Sequence, residues 1–318
     1  MSEQTPAVSV LMAVHDGERH LREAVESILG QTFADFELVV VDDASTDASR
    51  SILEGYGDPR IRLLVNRENL GLTRSLNRGL AATSGRYVAR HDADDVSEPD
   101  RLALQVAHLD RNPEHALVAS AYRRIDDEGR ESGHRPVPLT TCSIRWRLLF
   151  LNAFTHSSVT LRRSIVVGLG GYDESVHYPQ DYELWSRIAE RHEVAALPQR
   201  LVSYRRSASS MTTARAASEA DDEVAAISRR NVDRVLPGMG TRLDREAAWR
   251  LLFANARGVR PRRAVRTSRD VLALQAAFAR HYRLSRREAV AHRGSVALAL
   301  ARGGRRALAA SRSASERA

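Results

Sequence analysis

Residues 8–49 decide the fold class of this chain, and they read VSVLMAVHDGERHLREAVESILGQTFADFELVVVDDASTDAS. Val8–Val14 and Phe36–Val41 are short, almost continuous apolar runs, which is typical of strands buried on both faces. Arg19–Leu29 lies between them and carries its apolar residues at helical spacing. The pattern predicts a strand, a helix and a second strand that runs parallel to the first.

The same alternation continues downstream. A helix is predicted at Asp47–Leu53, a strand at Ile61–Val65, an amphipathic helix at Leu72–Ala82 and a strand at Gly85–Arg90. Glu98-Pro99 opens another helix, because proline is favoured in a first helical turn. Strands that alternate with helices predict an α/β protein, a Rossmann-type three-layer sandwich with a mostly parallel sheet.

The pattern becomes mixed after residue 115. We expect helices at Ile144–Leu151 and Gln180–His192 and strands at Ala116–Tyr122, Val159–Arg162 and Leu201–Arg205. From Ala214 onward the chain is rich in Ala, Arg and Leu at helical spacing, which predicts an α-helical C-terminal extension. We therefore expect an α/β domain over residues 1–213 and a basic helical region over residues 214–318.

The composition is that of a globular protein, with 318 residues of which 43% are hydrophobic and 28% charged. The single cysteine, Cys142, cannot form an internal disulfide, so nothing indicates an oxidising compartment. No apolar run approaches the roughly 20 residues that cross a bilayer, and the N-terminus lacks the features of a signal peptide. We expect a cytoplasmic protein without a membrane anchor of its own.

The charge is distributed unevenly along the chain. All 48 basic residues are arginine: residues 1–240 carry 29 of them against 35 acidic residues, a net charge of −6, whereas residues 241–318 carry 19 against 5, a net charge of +14. Arginine-rich amphipathic helices suit an anionic membrane surface, which predicts a peripheral contact at the inner face of the membrane. The alternative is a helical extension whose arginines are solvated or pair with the acidic front of the chain.

Two acidic clusters directly follow two of the predicted strands. Asp42 and Asp43 follow the second strand, and Asp92, Asp94 and Asp95 follow the fourth. Ligands of open α/β sheets bind beyond the carboxyl ends of the strands, so both clusters are expected at one edge. Clustered carboxylates favour a divalent cation, and Mg²⁺ or Mn²⁺ is held by one or two carboxylates plus substrate phosphates. The alternative is that these residues only cap helices or line turns.

Five ordered stretches of the chain carry a family resemblance. They are residues 8–49, 66–80 (NRENLGLTRSLNRGL), 85–102 (GRYVARHDADDVSEPDRL), 154–164 (FTHSSVTLRRS) and 170–190 (GGYDESVHYPQDYELWSRIAE). In order and spacing they resemble the family 2 glycosyltransferases of GT-A fold. The resemblance covers residues 7–212 and does not extend to the basic C-terminal third.

The resemblance implies a nucleotide site at the first strand and the first acidic pair. In this family the end of the first strand, here Ala13, Val14 and His15, packs around the base and the ribose of the donor. The acidic pair after the second strand, here Asp42 and Asp43, hydrogen-bonds the base, commonly uracil. A UDP-sugar is therefore the expected donor, with thymine and guanine as the alternative bases.

The resemblance also implies a metal site and a catalytic base. Asp92-Ala93-Asp94 is similar to the D-x-D motif, whose first acid contacts the ribose region and whose last acid, Asp94, holds the metal on the diphosphate. Asp181 matches the general base that deprotonates the acceptor hydroxyl, and His156 matches a histidine near the acceptor. From the residues alone, the alternative for Asp181 is to cap the helix that it begins.

Two departures from the family pattern concern the same site. Relatives usually have Glu-Asp where this chain has Gln180-Asp181, so a supporting acid is missing. Many also have Tyr-Arg-x-His after the last strand, whereas Tyr204–Ser207 lacks the histidine that often completes the metal–diphosphate side. Arg205 or Arg206 is then expected to neutralise phosphate charge, the alternative being a solvated strand end.

Together the residues and the resemblance predict an inverting, metal-dependent glycosyltransferase. Its partners would be a nucleotide-sugar donor and a hydroxyl acceptor in a glycan or a lipid-linked glycan, for cell-surface polysaccharide or glycolipid synthesis. One alternative is a nucleotidyltransferase-like enzyme. Another is a degenerate α/β scaffold that binds nucleic acid through its tail, but no reader motif is present and aromatic residues make up only 5% of the chain, so no nucleic-acid partner is expected.

Overall fold

The computed structural model describes residues 5–135, 137–206, 217–254, 256 and 259–315. It divides into two compact units. The first unit comprises Met1–Arg145 and Asn152–Glu223, and the second comprises Trp146–Leu151 and Val224–Ala318. The domain boundary predicted between residues 213 and 214 lies outside the described residues.

The first unit alternates strands and helices, as the apolar patterning predicts. Its strands are β1 Val8–Val14, β2 Phe36–Asp42, β3 Ile61–Val65, β4 Tyr87–Arg90, β5 Val96–Ser97, β6 His115–Ile125, β7 Glu131–Arg135, β8 Thr160–Arg162 and β9 Glu193–Arg205. Its helices are α1 Glu18–Leu29, α2 Ser49–Glu54, α3 Leu72–Ala82, α4 Arg101–Arg111, α6 Arg163–Gly168 and α7 Gln180–Arg191, with a 3-10 turn at His156–Ser158. Helix α5, Thr141–Leu148, runs from the first unit into the second.

The strands form one sheet in the order β3-β2-β1-β4-β8-β6-β9-β5, with β7 paired to β6. The first four strands, β1 to β4, are parallel to one another. Strand β8 runs antiparallel between β4 and β6, and β6 pairs in parallel with β9. The α/β fold class is confirmed, and every antiparallel pair includes a strand from the half of the chain in which the sequence pattern is mixed.

The first four strands bring the acidic clusters to one edge of the sheet. Strand β1 lies between β2 and β4, and every one of its residues is buried, as its continuous apolar sequence predicts. Val14 at the end of β1 pairs with Asp42 of β2, and Leu11 pairs with Arg90 at the end of β4. Because these strands are parallel, their carboxyl ends meet at this edge.

The second unit is helical over the residues that the structure describes. Its helices are α8 Ala217–Val235, which begins in the first unit, α9 Met239–Arg242, α10 Arg245–Phe253, α11 Pro261–His281 and α12 Arg286–Ser315. The Trp146 ring is the centre of an aromatic cluster, with ring centroids of Phe150 and Phe278 at 5.3 Å and of His292 at 4.9 Å. None of the described helices is both long and apolar enough to cross a membrane.

We predict that Gly85→Ala destabilises the first unit. A Cβ atom at Gly85 would lie 2.6 Å from the backbone nitrogen of Ser9 in β1, so the chain before β4 would have to move away from the sheet. Overpacking of this kind costs about 1–3 kcal/mol in the free energy of unfolding, measurable by urea titration. Gly57→Ala is the matched control because no atom lies within 4 Å of its added Cβ. Equal stability of the two variants would contradict this packing.

Candidate active site

The acidic loop, residues 91–95, follows β4 and lies against three fully buried arginines, Arg90, Arg101 and Arg205. The Arg90 guanidinium pairs with the Asp92 carboxylate and also donates to the carbonyl oxygen of His91. An arginine in a buried strand is unfavourable unless its N–H groups are satisfied. Arg90 therefore fixes the direction in which the loop leaves the sheet.

Arg101, in the first turn of α4, supports the loop from within the protein. It donates to the carbonyl oxygen of Arg90 at 2.6 Å and to Ser97 Oγ at 2.9 Å. Burial lowers the pKa of Arg101 to about 9, an effect that the nearby Asp95 carboxylate opposes. Its charge is thus one of the fixed positive charges beneath the acidic loop.

Arg205, the last residue of β9, ties the acidic loop to two other parts of the first unit. Its Nε donates to the carbonyl oxygen of Asp94 at 2.8 Å, and its backbone N–H donates to Asp95 Oδ1 at 2.8 Å. Its other guanidinium nitrogens donate to Asp126 O at 2.8 Å and to Glu23 Oε2 at 2.5 Å. Each nitrogen of the Arg205 guanidinium thus has a protein acceptor. The predicted phosphate contact of Arg205 remains a prediction, and it would have to share this guanidinium with the loop.

The carboxylates of the acidic loop differ in how their charge is compensated. Burial opposes ionisation of Asp92, but the Arg90 guanidinium and other nearby groups outweigh it, so the pKa of Asp92 is lowered. Burial and the Asp92 charge raise the pKa of Asp94 to about 6, and burial and both neighbours raise the pKa of Asp95 well above its usual value. Asp95 Oδ2 is buried without a hydrogen-bond partner. The protein therefore compensates the charges of Asp94 and Asp95 less fully than the charge of Asp92.

The carboxylates of the acidic loop suit a divalent cation that is held partly by the protein and partly by a bound ligand. Carboxylate oxygens are the ligands that Mg²⁺ and Mn²⁺ prefer, and added positive charge would lower the raised pKa of Asp94. Within the described parts of the chain, no group of three or more His, Cys, Asp or Glu side chains is arranged to enclose a metal. A cation here would thus need oxygens that the protein does not supply, as the phosphates of a nucleotide do.

The two aspartates at the end of β2 have different environments. Asp43 accepts hydrogen bonds from Asn66 Nδ2 at 2.5 Å and from the backbone N–H groups of Leu70 and Gly71 at 2.9 Å, so it holds the loop before α3. Asp42 is 1% exposed; its Oδ1 accepts the Ser45 N–H at 3.1 Å, while its Oδ2 has no partner. Of the predicted pair, Asp42 keeps a free acceptor, whereas the Asp43 carboxylate is occupied by the protein.

The predicted base-contacting residues at the end of β1 lie beside this pair. Ala13 and Val14 are buried, whereas the His15 side chain is 40% exposed. His15 Nδ1 lies 2.9 Å from the carbonyl oxygen of Asp43, which orients the imidazole over the edge of the sheet. The following residue, Asp16, adopts a left-handed conformation (φ 50°) and accepts the Thr46 N–H at 2.7 Å. The loops after β1 and β2 are thereby joined.

Asp181 is the second residue of α7 and does not cap this helix, whose N-cap position is Pro179. Its Oδ2 accepts from Asn152 Nδ2 at 2.6 Å and its Oδ1 accepts the Tyr182 N–H at 2.7 Å. Burial raises the pKa of Asp181 to about 6. The two hydrogen bonds lower this pKa, and the charge of Asp92 raises it. A carboxylate with this pKa is ionised at neutral pH and accepts a proton more readily than an exposed aspartate.

His156 and Ser157 connect the surroundings of Asp181 with the acidic loop. His156 Nε2 lies 2.9 Å from Tyr172 Oη, and burial lowers the pKa of His156 to about 3, so its imidazole is neutral. Ser157 Oγ donates to Asp92 Oδ2 at 2.9 Å. Burial raises the pKa of Tyr172, and the charge of Asp181 raises it further. The structure thus brings Asp181, His156 and Asp92 into one polar cluster.

Several residues of this cluster were not predicted from the sequence. Asn77 holds the backbone of Tyr172 from α3, through Asn77 Oδ1 and Nδ2 at 2.9 Å each. Asn152, Ser157 and Tyr172 contact the predicted residues directly; Ser157 and Tyr172 belong to quoted family stretches, which is the signal that could have found them. Gln180, which replaces the usual glutamate, is buried with its Oε1 unpartnered.

Known proteins share this fold and these sequence stretches. The sequence profile described as "Glycosyl transferase family 2" matches residues 9–166. An uncharacterized glycosyltransferase of Haemophilus influenzae is 31% identical over 64% of this chain and 66% of its own length. The amylovoran biosynthesis glycosyltransferase AmsE of Erwinia amylovora is 33% identical over 62% of this chain and 75% of its own length.

Solved structures agree at the level of the fold. The crystal structure of Staphylococcus aureus TarS 1–349 in complex with UDP-GlcNAc superposes with a TM-score of 0.62 over 94% of this chain and 90% of that chain, at 16% identity. The chain therefore has the α/β fold of this solved structure. The chain belongs to glycosyltransferase family 2.

We predict that Asp43→Asn destabilises the protein and that Asp42→Asn does not. The new amide would place an NH₂ group against the N–H donors that Asp43 now satisfies, at a cost of about 1–3 kcal/mol in the free energy of unfolding. Asp42 Oδ2 has no hydrogen-bond partner, so an NH₂ group at that position breaks no hydrogen bond. The Asp42→Asn variant therefore serves as the isosteric control. Urea unfolding followed by tryptophan fluorescence measures both, and equal losses would contradict the difference.

Proposed function

We propose that this protein transfers a sugar from a UDP-sugar to a hydroxyl acceptor with inversion at the anomeric carbon. The observation that carries the proposal is the joining of Asp181 and the acidic loop in one cluster, through Ser157, His156 and Tyr172. Inverting transfer needs a carboxylate base for the acceptor and compensation of charge on the leaving diphosphate. Asp181 and Asp94 are the residues suited to these two tasks.

Asp181 acts as the general base in this proposal. Asn152 and the Tyr182 N–H hold its two oxygens, so the carboxylate is oriented before substrate binds. The acceptor hydroxyl would bind within hydrogen-bond reach of one oxygen and lose its proton to Asp181 as the new glycosidic bond forms. The neutral His156 and Tyr172 can orient the acceptor but do not compete for that proton, since burial keeps the imidazole uncharged and the phenol protonated.

The donor binds along the carboxyl edge of the sheet in this proposal. Asp42 Oδ2 would accept an N–H of the base, Ala13, Val14 and His15 would pack against the nucleoside, and Asp92 would face the ribose. Asp94 would hold Mg²⁺ or Mn²⁺, which supplies Lewis-acid neutralisation of the leaving diphosphate. The UDP and UDP-GlcNAc complexes of TarS are compatible with a uridine donor here.

The acceptor is a hydroxyl of a growing cell-surface glycan, glycolipid or polysaccharide in this proposal. The support is the similarity to AmsE, whose name places it in amylovoran biosynthesis. The protein would act in the cytoplasm at the inner face of the membrane, with a lipid-linked acceptor. The charge of +14 on residues 241–318 favours contact with anionic lipid.

We predict that Asp181→Asn lowers sugar transfer by about 10²–10⁴-fold without weakening UDP binding, because the amide keeps the shape but cannot accept the proton. In the wild-type protein, turnover should be constant above pH 7 and fall about tenfold per pH unit below pH 6, as the base becomes protonated. Product formation from a radiolabelled UDP-sugar measures both. A variant that retains full turnover would exclude Asp181 as the base.

We predict that Asp42→Asn reduces the preference for uridine over other nucleotides. Its Oδ2 is a buried acceptor without a protein partner, and an amide oriented with its NH₂ group there would face the N–H of uracil. The affinity for UDP should fall about 10–100-fold, while the weaker binding of CDP changes little or improves. Calorimetry with the two nucleotides measures this; an unchanged ratio of affinities would place the base elsewhere.

A further inference from the structure

Helix α12 has apolar residues on two opposite faces. The inner face carries Val296, Leu300 and Ala307, which are 2–6% exposed, and Gly303, whose Cβ would lie 2.5 Å from the carbonyl oxygen of Leu251 in α10. This face anchors the helix in the second unit. An ordinary surface helix would present polar residues on the opposite side.

The opposite side of α12 instead carries an exposed apolar stripe. This outer stripe consists of Val290, Ala291, Gly294, Ala297, Leu298 and Ala301, all exposed and spaced to lie on one helix face. Val290 is 66% and Leu298 49% exposed, although both are large apolar side chains. The stripe extends for about 17 Å along the helix at 1.5 Å per residue.

Arginines flank the outer stripe and no acid accompanies it. Exposed arginines surround it: Arg287 and Arg305 continue its face at the two ends, and four others lie beside it, at Arg286, Arg293, Arg302 and Arg306. After Glu288, no aspartate or glutamate occurs again before residue 316. Within the described ranges, none of these six arginines takes part in an ion pair. The surface thus combines exposed apolar side chains with uncompensated positive charge.

We propose that the outer stripe of α12 lies in the interface of an anionic lipid bilayer. The apolar side chains would enter the headgroup boundary, while the long arginine side chains reach outward to lipid phosphates. A second copy of the chain would bring like charges together along the whole stripe, which disfavours a homodimer. A nucleic acid would pair with the arginines but leave Val290 and Leu298 uncovered. This inference deepens the membrane contact of the proposed function by naming its surface.

Vesicle co-sedimentation of the full chain tests the proposal. The probes are phosphatidylcholine vesicles with and without phosphatidylglycerol, at low and at high salt. One variant combines Val290→Ser and Leu298→Ser, and a second combines Arg287→Gln and Arg305→Gln. The control combines Leu104→Ser and Leu139→Ser, which remove two other exposed leucines (38% and 45%) from the first unit.

The wild-type chain and the control should bind only the vesicles that contain phosphatidylglycerol, and high salt should weaken this binding. The stripe variant should bind about tenfold more weakly, and the arginine variant also about tenfold or more. The proposal would be overturned if the stripe variant bound the anionic vesicles as tightly as the wild-type chain. It would also be overturned if the wild-type chain did not bind anionic vesicles. If the free protein is a dimer and only the stripe variant is monomeric, the stripe forms an interface with a second copy of the chain instead.

The same variants separate this inference from the proposed function. Neither pair of substitutions touches the edge of the sheet, so UDP binding measured by calorimetry should be unchanged in both. Loss of vesicle binding with normal UDP binding supports the surface independently of catalysis. If the wild-type protein binds vesicles but no nucleotide, the proposed function would be contradicted, whereas the lipid-binding surface would still be supported.

Discussion

The guanidinium groups of Arg90, Arg101 and Arg205 are buried against the acidic loop at the end of β4, and the arrangement of the site depends on them. Three positive charges in a protein interior are strongly unfavourable unless carboxylates and carbonyl oxygens surround them. The acidic loop supplies such groups to two of them: the Asp92 carboxylate and the carbonyl oxygen of His91 accept from Arg90, and the carbonyl oxygen of Asp94 accepts from Arg205. Arg101 donates to the carbonyl oxygen of Arg90, directly before the loop, and the backbone N–H of Arg205 donates to the Asp95 carboxylate. The loop is therefore held by the same charges that it neutralises.

This arrangement leaves an asymmetry that a ligand can use. Asp92 is paired and its pKa is lowered, whereas the pKa of Asp94 is raised to about 6. The charge of Asp94 is thus less fully compensated than that of Asp92, and the cation of a metal–diphosphate complex would compensate it. Because the arginines already fix the backbone of the loop, little reorganisation would accompany that binding.

Much of the fold could be predicted from local pattern. Strands β1 and β3 and helix α3 have the predicted bounds, because an uninterrupted apolar run or a clear helical period determines each of them. Strand β9 was predicted only over its last five residues, although it begins at Glu193. Its first half contains Pro198 and polar residues and is stabilised by parallel pairing with β6, a long-range contact that no local window contains. The short strand β5, which pairs with β9, was missed for the same reason.

The site could be predicted only as far as residue type and strand ends specify it. Sequence placed Asp42 and Asp43 together, but consecutive residues point in different directions, so only the structure shows that Asp43 is occupied by the loop before α3. Asn152 could not be assigned to Asp181 because 29 residues separate them. Arg205 was interpreted from its position at a strand end, whereas its contacts with three separate segments arise from the tertiary fold.

Calorimetric titration of UDP into the wild-type protein, with and without Mn²⁺, and then into the Asp94→Ala and Asp181→Ala variants tests the assignment of the acidic loop. We expect UDP binding to require the metal, to be lost in Asp94→Ala and to be retained in Asp181→Ala. Metal-independent binding that survives Asp94→Ala would contradict the assignment of the acidic loop. Absence of binding by any nucleoside diphosphate would contradict the donor site as a whole.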